Sequence, residues 1–334
     1  MKILYIGTRF GNAFLQYKVL KKVYKNVDFI DGYESFLKYN ILQKIFIHIS
    51  PLYFENYLNN FIIKKIKDDY DLIYIRSGEL IGKKLIFHLK KKAKKVVFFC
   101  NDNPFAKRDK YKWKLFKKAA KFYDLIVFQD KSRIISAKKY NLKNTLLMYP
   151  PYDNFVHKRN SNISNKKKFD VVFVGTWSPK KSLLIQKLIK YGLNIRVFGT
   201  RWEKDKNFEI LRPYLQLGHL FNFKYSDIIS RAKIALCLFS EENNDTITAR
   251  SMEIPAIGTF MMSYYTPAMK NIFKENNEVV FFKNSKECFN KCNYYLKNTR
   301  KLNLIAKNGH YKVTKVLKNT NHEFLNKIIK YLYK

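Results

Sequence analysis

The residues best suited to chemistry are glycines and basic side chains that follow two short apolar runs in the second half of the chain. Residues 170–178 read DVVFVGTWS and residues 195–202 read IRVFGTRW. A glycine at a strand end lets the backbone approach a ligand, the first amides of a following helix favour an anion, and an arginine can bind two phosphate oxygens at once. The segments predict a diphosphate site, with a turn plus surface cations as the alternative for each. The residues assigned to this site are Gly175, Thr176, Lys180, Lys181, Gly199, Arg201 and Trp202.

Carboxylates join this site from residues 240–266, SEENNDTITARSMEIPAIGTFMMSYYT. A short helix is predicted over Ala249–Ile254 and is ended by Pro255, which places Glu253 near its C-terminus. A carboxylate there can accept hydrogen bonds from vicinal hydroxyls such as those of ribose. The alternative is a capped surface helix with an internal ion pair, and a loop histidine without a ligand is the alternative for His219. The further ligand residues are His219, Asp245, Thr248, Arg250 and Glu253.

In the first half, residues 98–105, FFCNDNPF, place Asp102 directly after an apolar strand. A carboxylate at that edge of a sheet can act as a base or bind hydroxyls, and a plain Asx turn is the alternative. The earlier segment YIGTRFGNAF lacks the full G-x-G-x-x-G pattern, so NAD is disfavoured, and Gly7 either forms a turn or faces a substrate. The residues predicted on this side are Gly7, Arg9, Glu79, Asp102 and Asn103.

Length and charge restrict the function classes. The chain has 334 residues, enough for about two domains. Its 65 basic and 26 acidic residues give a net charge of +39, which suggests nucleic acid or an anionic membrane surface. The charge is divided evenly, at +21 for residues 1–160 and +18 for residues 161–334, and the 54 lysines fit a compositional bias. Phosphate binders usually concentrate charge on one face, so the even distribution argues against nucleic acid as the partner.

Several other classes are excluded by what the chain lacks. It contains no run of roughly 18 uncharged apolar residues that could span a membrane, and its N-terminus reads as a first strand. Its four cysteines are expected to be reduced thiols, and no His, Cys and carboxylate set has metal-ligand spacing. We therefore expect a cytoplasmic protein with no metal and no cofactor.

Short apolar runs alternate with amphipathic lysine-rich stretches, which predicts an α/β fold with parallel sheets. Strands are predicted at Lys2–Ile6, Val27–Ile30, Leu72–Ile75, Val96–Cys100, Leu125–Phe128, Thr145–Met148, Asp170–Val174, Ile195–Phe198, Ile234–Leu238, Gly258–Met262 and Val279–Phe281. The polar stretch Lys158–Lys168 is the best linker, so the predicted domains are residues 1–160 and 161–318. Residues 319–334 are predicted to form a helix that returns to the first domain.

These residues resemble the GT-B glycosyltransferases, in the group that includes the CgeB-like spore maturation proteins and the group 1 glycosyl transferases. The most specific matches are Gly199-Thr200-Arg201-Trp202, Gly218-His219 and the pattern Asp245-x-x-Thr248-x-Arg250-x-x-Glu253. The resemblance implies two facing Rossmann-like domains, the C-terminal one binding a nucleotide-sugar and the N-terminal one binding the acceptor. Glu253 matches the glutamate that contacts the nucleotide, and Asp245 replaces the first acid of an E-x7-E pair.

The implied mechanism is displacement at the anomeric carbon of the donor, with a nucleoside diphosphate as the leaving group. Lys181, Arg201 and Arg250 would stabilise its charge without a metal, and Asp102 would be the base if the reaction inverts configuration. Stereochemistry stays open. The acceptor would be a cell-envelope glycan, a lipid-linked sugar or a protein, with peripheral contact to an anionic inner membrane face. The alternatives are a sugar-nucleotide epimerase on the same scaffold and a basic protein that binds nucleic acid or a membrane surface.

Overall fold

The first sheet is fully parallel and has the strand order β2-β1-β3-β4-β5-β6. The structure, a computed structural model, describes residues 1–36, 40–109, 111–159 and 167–334. The strands are β1 Lys2–Gly7, β2 Asn26–Asp31, β3 Tyr70–Ile75, β4 Ala93–Cys100, β5 Leu125–Phe128 and β6 Thr145–Leu147. Alternate residues of the inner strands enter two separate apolar clusters, so both faces of the sheet are buried.

Helices connect these parallel strands and cover the two faces. Those of the first half are α1 Gly11–Val23, α2 Asn40–His48, α3 Glu55–Ile63, α4 Lys83–Lys92, α5 Lys114–Ala119 and α6 Lys131–Lys139. In α4, Leu85, Ile86 and Leu89 are buried at helical spacing, while lysines occupy the solvent side.

The second sheet repeats the plan, with the strand order β12-β11-β10-β7-β8-β9. Its strands are β7 Phe169–Val174, β8 Ile195–Gly199, β9 Leu215–Leu217, β10 Ala232–Cys237, β11 Phe260–Tyr264 and β12 Val280–Phe282. Its helices are α7 Pro179–Lys190, α8 Phe208–Leu211, α9 Asn222–Ser230, α10 Arg250–Ile257, α11 Pro267–Ile272, α12 Ser285–Lys297 and α13 Thr299–Tyr311. The predicted α/β class with two Rossmann-like sheets is confirmed.

Two details of the predicted strands are wrong. The edge strand β9 is absent from the prediction, because its three residues contain no buried run. Gly258, predicted to begin a strand, instead ends α10 in the left-handed region with φ +84°, and β11 begins at Phe260. Glycine ends many helices in this conformation because it has no Cβ to clash with the neighbouring backbone.

The last helix, α14 Asn321–Leu332, packs on the first sheet. Phe324 is fully buried and its ring centroid lies 4.6 Å from that of Phe99 in β4. Leu325 and Ile328 join the same cluster, so one amphipathic stripe covers this face of the sheet. The predicted return of the C-terminal helix to the first half is confirmed.

The chain forms two compact units. The first contains residues 1–149, 242–245 and 321–334, and the second contains residues 150–241 and 246–320. The boundary predicted between residues 160 and 161, and most of the predicted linker, lie outside the described residues. Within the part of the chain that the structure describes, we find no helix with the length and hydropathy needed to cross a membrane.

Candidate functional site

Three neighbouring strands of the second sheet end at a glycine. Gly175 follows β7, Gly199 is the last residue of β8, and Gly218 follows β9. The Gly175 N–H donates to Phe198 O over 2.8 Å, and the Gly218 N–H donates to Gly199 O over 2.9 Å. A Cβ on Gly199 would overlap the carbonyl of Gly175, and the φ of Gly199 is +148°. We call these three residues the glycine rim, and it presents bare backbone at the carboxyl edge of the sheet, where ligands of parallel sheets bind.

Polar and basic groups surround the glycine rim. Helix α7 begins directly after it, with Pro179 in its first turn, so the first amides of the helix point to this edge. The hydroxyls of Thr176 and Thr200 lie 3.4 Å apart, and Lys181 Nζ donates to Thr176 O over 3.4 Å. Arg201 is exposed and has a left-handed backbone with φ +67°. Backbone amides and two cations of the predicted set therefore meet at one edge.

Two predicted ligand residues have other partners. Trp202 is fully buried, donates from Nε1 to Gly175 O over 3.0 Å, and packs edge-on against Phe173. The indole N–H is therefore used inside the core, where it fixes the position of the Gly175 carbonyl. Lys180 is exposed and forms an ion pair with Glu241. The sequence predicts a direct contact with the ligand for both residues, and the structure gives the protein groups that they contact, Gly175 O for Trp202 and Glu241 for Lys180.

Arg250 brings α10 to the glycine rim. It is the first residue of α10, and its Nε donates to Val174 O, the last carbonyl of β7, over 2.7 Å. Its guanidinium carbon also lies 5.9 Å from the centre of the Tyr225 ring. Since Val174 directly precedes Gly175, this contact fixes a cation beside the rim, where the sequence predicts phosphate.

Glu253 is buried beside an unpredicted histidine and tyrosine. Only 5% of Glu253 is exposed, and its Oε1 lies 4.0 Å from His157 Nε2. The Asp153 N–H donates to His157 Nδ1 over 3.1 Å, so a neutral His157 carries its proton on Nε2, the nitrogen nearer Glu253. Burial and the Glu253 carboxylate raise the pKa of Tyr225 well above its usual value. Glu253 is thus buried next to two side chains, His157 and Tyr225, that carry hydrogen-bond donors.

No sequence signal marks His157 or Tyr225. His157 lies in a loop without a motif, and Tyr225 lies in α9, where the burial of one helix face accounts for it. The remaining predicted residues of this unit are His219, which is exposed and stacks on Phe221 with centroids 5.2 Å apart, and Thr248, whose N–H donates to Ser251 Oγ over 3.3 Å. His219 directly follows the glycine rim at Gly218.

Asp245 belongs to the first unit, and Glu253, the other acid of its pair, belongs to the second. Its Oδ1 accepts from Arg133 Nη2 over 2.7 Å and from Asn243 Nδ2 over 2.6 Å. Arg133 is fully buried, and it also donates to the carbonyl of Asn101. Burial raises the pKa of Asp245, although Arg133 opposes this. The sequence groups Asp245 with the donor residues of the second half, whereas in the structure it belongs to the first unit and pairs with Arg133 of α6.

Asp102 lies in a charged cluster at the carboxyl edge of the first sheet. Its Oδ1 is 3.3 Å from Arg108 Nη2, and its Oδ2 is 3.8 Å from Lys112 Nζ. Lys112 also lies 3.6 Å from Glu79 Oε1, and Tyr33 donates to the same Glu79 oxygen over 2.5 Å. Burial alone would raise the pKa of Asp102, but Lys112 and Arg108 hold it below its usual value. Asp102 and Glu79, both predicted, are thus joined by Lys112, a cation that the sequence did not single out.

The other predicted residues of the first unit have structural contacts. The Gly7 backbone is buried, and a Cβ there would meet the Tyr5 ring at 2.7 Å. The Arg9 N–H donates to Asp31 Oδ2 over 3.1 Å, while its side chain is exposed. Asn103 is buried, with its backbone and side-chain nitrogens donating to Asn243. Of these three residues, Arg9 alone presents a charged side chain to solvent.

Within the described ranges, no three His, Cys, Asp or Glu side chains form a group that could hold a metal ion. The four cysteines are free and buried. At the carboxyl edge of the second sheet, the groups that could hold an anion include cations and the first backbone amides of α7.

Known proteins provide a separate comparison. Residues 180–327 match the model of a family described as glycosyl transferase-like. No curated protein gives a significant match. Among solved structures, HepE from Anabaena in complex with UDP aligns with a TM-score of 0.67 and 14% identity, covering 99% of both chains. Sucrose-phosphate synthase from Thermosynechococcus elongatus aligns with a TM-score of 0.72 and 10% identity, covering 100% of this chain and 99% of its own.

A third structure extends the comparison. A trehalose-6-phosphate protein from E. coli bound with UDP-2-fluoro glucose aligns with a TM-score of 0.63 and 12% identity, covering 99% of both chains. At these identities the likeness shows the fold, and that fold extends over the whole chain.

Proposed function

We propose that this chain, a glycosyltransferase with the GT-B fold, moves a sugar from a nucleotide-sugar to a cell-envelope acceptor, holding the donor diphosphate at the glycine rim. The observation that carries the proposal is the hydrogen bond from Arg250 Nε to Val174 O. It places an arginine next to Gly175, on the same edge as the first turn of α7. Backbone amides and a guanidinium together form a site for a diphosphate.

In the proposed reaction, this site stabilises the nucleoside diphosphate as it leaves. When the bond between the anomeric carbon and the diphosphate breaks, negative charge grows on the phosphate oxygens. Arg201, Arg250 and Lys181 would stabilise that charge, together with the amides of α7. Because three cations are available at this edge, we propose that transfer proceeds without a metal ion.

Glu253 would bind the nucleoside. A carboxylate accepts hydrogen bonds and cannot donate them when ionised, so it suits the two hydroxyls of a ribose. Its burial beside His157 and Tyr225 limits its rotation. We propose uridine as the base, since the structures of HepE and of the E. coli protein were determined with UDP or a UDP-sugar.

Asp102 and its cluster would serve the acceptor. The carboxylate is ionised because Lys112 and Arg108 hold its pKa below the usual value. It can therefore receive a proton from an acceptor hydroxyl if the reaction inverts configuration, and it can orient that hydroxyl if the reaction retains configuration. We further propose the CgeB-like subgroup, a cell-envelope glycan, lipid-linked sugar or protein as acceptor, and the cytoplasm as the compartment.

The direct test is calorimetry of the full chain against UDP, GDP, ADP, CDP and dTDP. We expect UDP to bind most tightly of the five, and Arg250→Ala to weaken its binding at least about tenfold, because a charge-assisted hydrogen bond contributes roughly 1.5–3 kcal/mol. Arg212→Ala is the matched control, since Arg212 is exposed in the same unit and pairs with Glu209. Failure of every nucleotide to bind would favour the alternative of a basic surface-binding protein.

A further inference from the structure

A basic cavity lies at the opposite edge of the second sheet. Three residues that line it each stand two positions before a neighbouring strand: Lys167 before β7, Ser230 before β10 and Gly258 before β11. The cavity has a volume of about 540 Å³ and is open to solvent. The glycine rim lies at the carboxyl ends of the strands, whereas the cavity lies before their amino ends. The two are therefore separate sites in the same unit.

The lining of this cavity is richer in positive charge than the chain as a whole. Its ten lining residues include four cations and no acid. At the chain average of 65 basic and 26 acidic residues in 334, ten residues would hold about two cations and one acid. The four cations are Arg159, Lys167, Arg300 and Lys307.

The two arginines are more informative than the lysines. The chain has only 11 arginines, and two of them line this cavity. A compositional excess of lysine does not explain them, and the guanidinium matches the geometry of phosphate oxygens. Arg300 and Lys307 lie seven positions apart on α13, so they occupy one face of the helix, with Asn303 between them.

The backbone makes room for Arg159. Gly258 has φ +84°, and a Cβ there would lie 3.1 Å from both Cγ and Cδ of Arg159. The stem of the arginine therefore rests on the bare backbone that ends α10. A side chain at position 258 would push Arg159 away, so the glycine both ends the helix and seats the cation.

Lys167 is held among like charges. Its Nζ donates to Ser230 O over 2.8 Å, and no acid of the described residues forms an ion pair with Lys167, Arg159, Arg300 or Lys307. Burial and the nearby charge of Arg159 lower the pKa of Lys167 to about 8. The charged form of Lys167 is thus less favourable here than in water, and an anion in the cavity would reduce that penalty.

We propose that this basic cavity binds a phosphate-bearing anion, held by Arg159, Lys167, Arg300 and Lys307. The anion comes either free in solution or as the headgroup of an anionic lipid. The proposal does not depend on the donor site, since none of the cavity residues belongs to the glycine rim or to the predicted set.

The test compares two double charge reversals in the full chain. Arg300→Glu with Lys307→Glu alters the cavity at exposed helical positions, whereas Lys286→Glu with Lys297→Glu makes the same change of net charge on α12, outside the cavity. Both pairs are introduced together with Arg250→Ala, which weakens the donor site. Inorganic pyrophosphate is titrated by calorimetry, and vesicles of phosphatidylcholine with or without phosphatidylglycerol are sedimented with the protein.

We expect the cavity pair to weaken binding at least tenfold in one arm, and the control pair to change it less than twofold. Loss in the pyrophosphate arm identifies a free phosphate, and loss only with phosphatidylglycerol identifies a lipid headgroup. Equal behaviour of the two pairs in both arms overturns the proposal, as does a failure of the parent protein to bind either probe. If the charge reversal lowers the melting temperature, Arg300→Gln with Lys307→Gln gives the same comparison without new acids.

Discussion

Single residues that the sequence treats as one motif have different environments in the molecule. Asp245 and Glu253 are eight positions apart, yet Asp245 pairs with the buried Arg133 of the first unit, and Glu253 lies against His157 in the second. The partner of Asp245 is 112 positions away in the chain. An ion pair of that kind cannot be found from spacing, because it depends on which segments pack together.

Glu253 gives the sharpest prediction for a single residue. We expect Glu253→Ala to reduce sugar transfer at least about 100-fold, because the donor ribose loses its acceptor group and the sugar is no longer positioned. Transfer of a labelled sugar from the nucleotide found by calorimetry would measure the loss. Glu209→Ala is the control, since Glu209 is exposed and contacts only Arg212 among the described ion pairs. Full transfer by Glu253→Ala would remove Glu253 from the site.

Asp102 allows a prediction about pH. Its pKa in the folded state lies below the usual value, so the ionised carboxylate stabilises the fold above that usual value, and this stabilisation is lost as the pH falls through the folded pKa. Replacing Lys112 by Met removes the cation that lowers the pKa most. We expect the Asp102 titration, followed by carbon-13 NMR of its carboxyl, to move to higher pH.

The exposed Lys118 supplies the control for that titration, because Lys118→Met removes a charge from α5 without touching the Asp102 pair. An unchanged Asp102 titration in Lys112→Met would show that Lys112 does not interact with Asp102 in solution.

Asp102→Ala itself should leave nucleotide binding intact, since the nucleotide is assigned to the other unit.

At the scale of secondary structure, the glycine rim is formed by the residues at or directly after the ends of β7, β8 and β9. The sequence predicts the ends of β7 and β8 from apolar runs followed by Gly175 and Gly199. It does not predict β9, although Gly218 continues the same row through its hydrogen bond to Gly199 O. A three-residue edge strand has too few residues for a pattern of alternation, and only the neighbouring strand defines it.

Gly199→Ala tests the glycine rim as an element. The new methyl group would overlap the carbonyl of Gly175, and the backbone already has φ +148°, so we expect a loss of about 3 kcal/mol or more in the free energy of unfolding. Gly192→Ala is the control, because Gly192 has φ +86° and its new methyl group would have no neighbouring atom within 4 Å. It should cost about 1 kcal/mol, from the backbone alone. Urea denaturation measures both, and equal losses would contradict the packing argument.

In the whole molecule, each unit is built from separate parts of the chain. The first unit takes residues 242–245 and 321–334 in addition to residues 1–149. Helix α14 supplies Phe324, Leu325 and Ile328 to a face of the first sheet, and Asp245 supplies the charge opposite Arg133. The sequence predicts the return of α14, but the contribution of Asp245 does not follow from a division of the chain into consecutive domains.

A fragment of residues 1–149 should therefore fail to fold on its own. It would expose the apolar face that α14 covers, and it would leave Arg133 buried without its carboxylate, a loss of about 3–5 kcal/mol for a broken buried ion pair. We expect no cooperative thermal unfolding by circular dichroism. Joining residues 321–334 to the fragment through a flexible linker should restore part of the transition. A cooperative transition in the unextended fragment would show that α14 is dispensable.

The fold class and nearly all of the strands follow from the amino-acid order alone, and so does the proposal that the main site lies at the carboxyl ends of the strands. These features depend on local patterns, because apolar runs bury both faces of a parallel strand and glycines allow the turns that follow. The same patterns single out Gly175, Gly199, Arg201, Arg250 and Glu253 without any knowledge of packing.

Which side chains meet is a property of the folded molecule. Packing buries Trp202 under the glycine rim, brings Asp245 into the first unit, and places His157 beside Glu253 and Lys112 beside Asp102. It also gathers four cations from three separate segments into one cavity. The physical reason is the same in each case: these contacts join residues from different segments of the chain, and their energy depends on burial and distance, which no local pattern encodes.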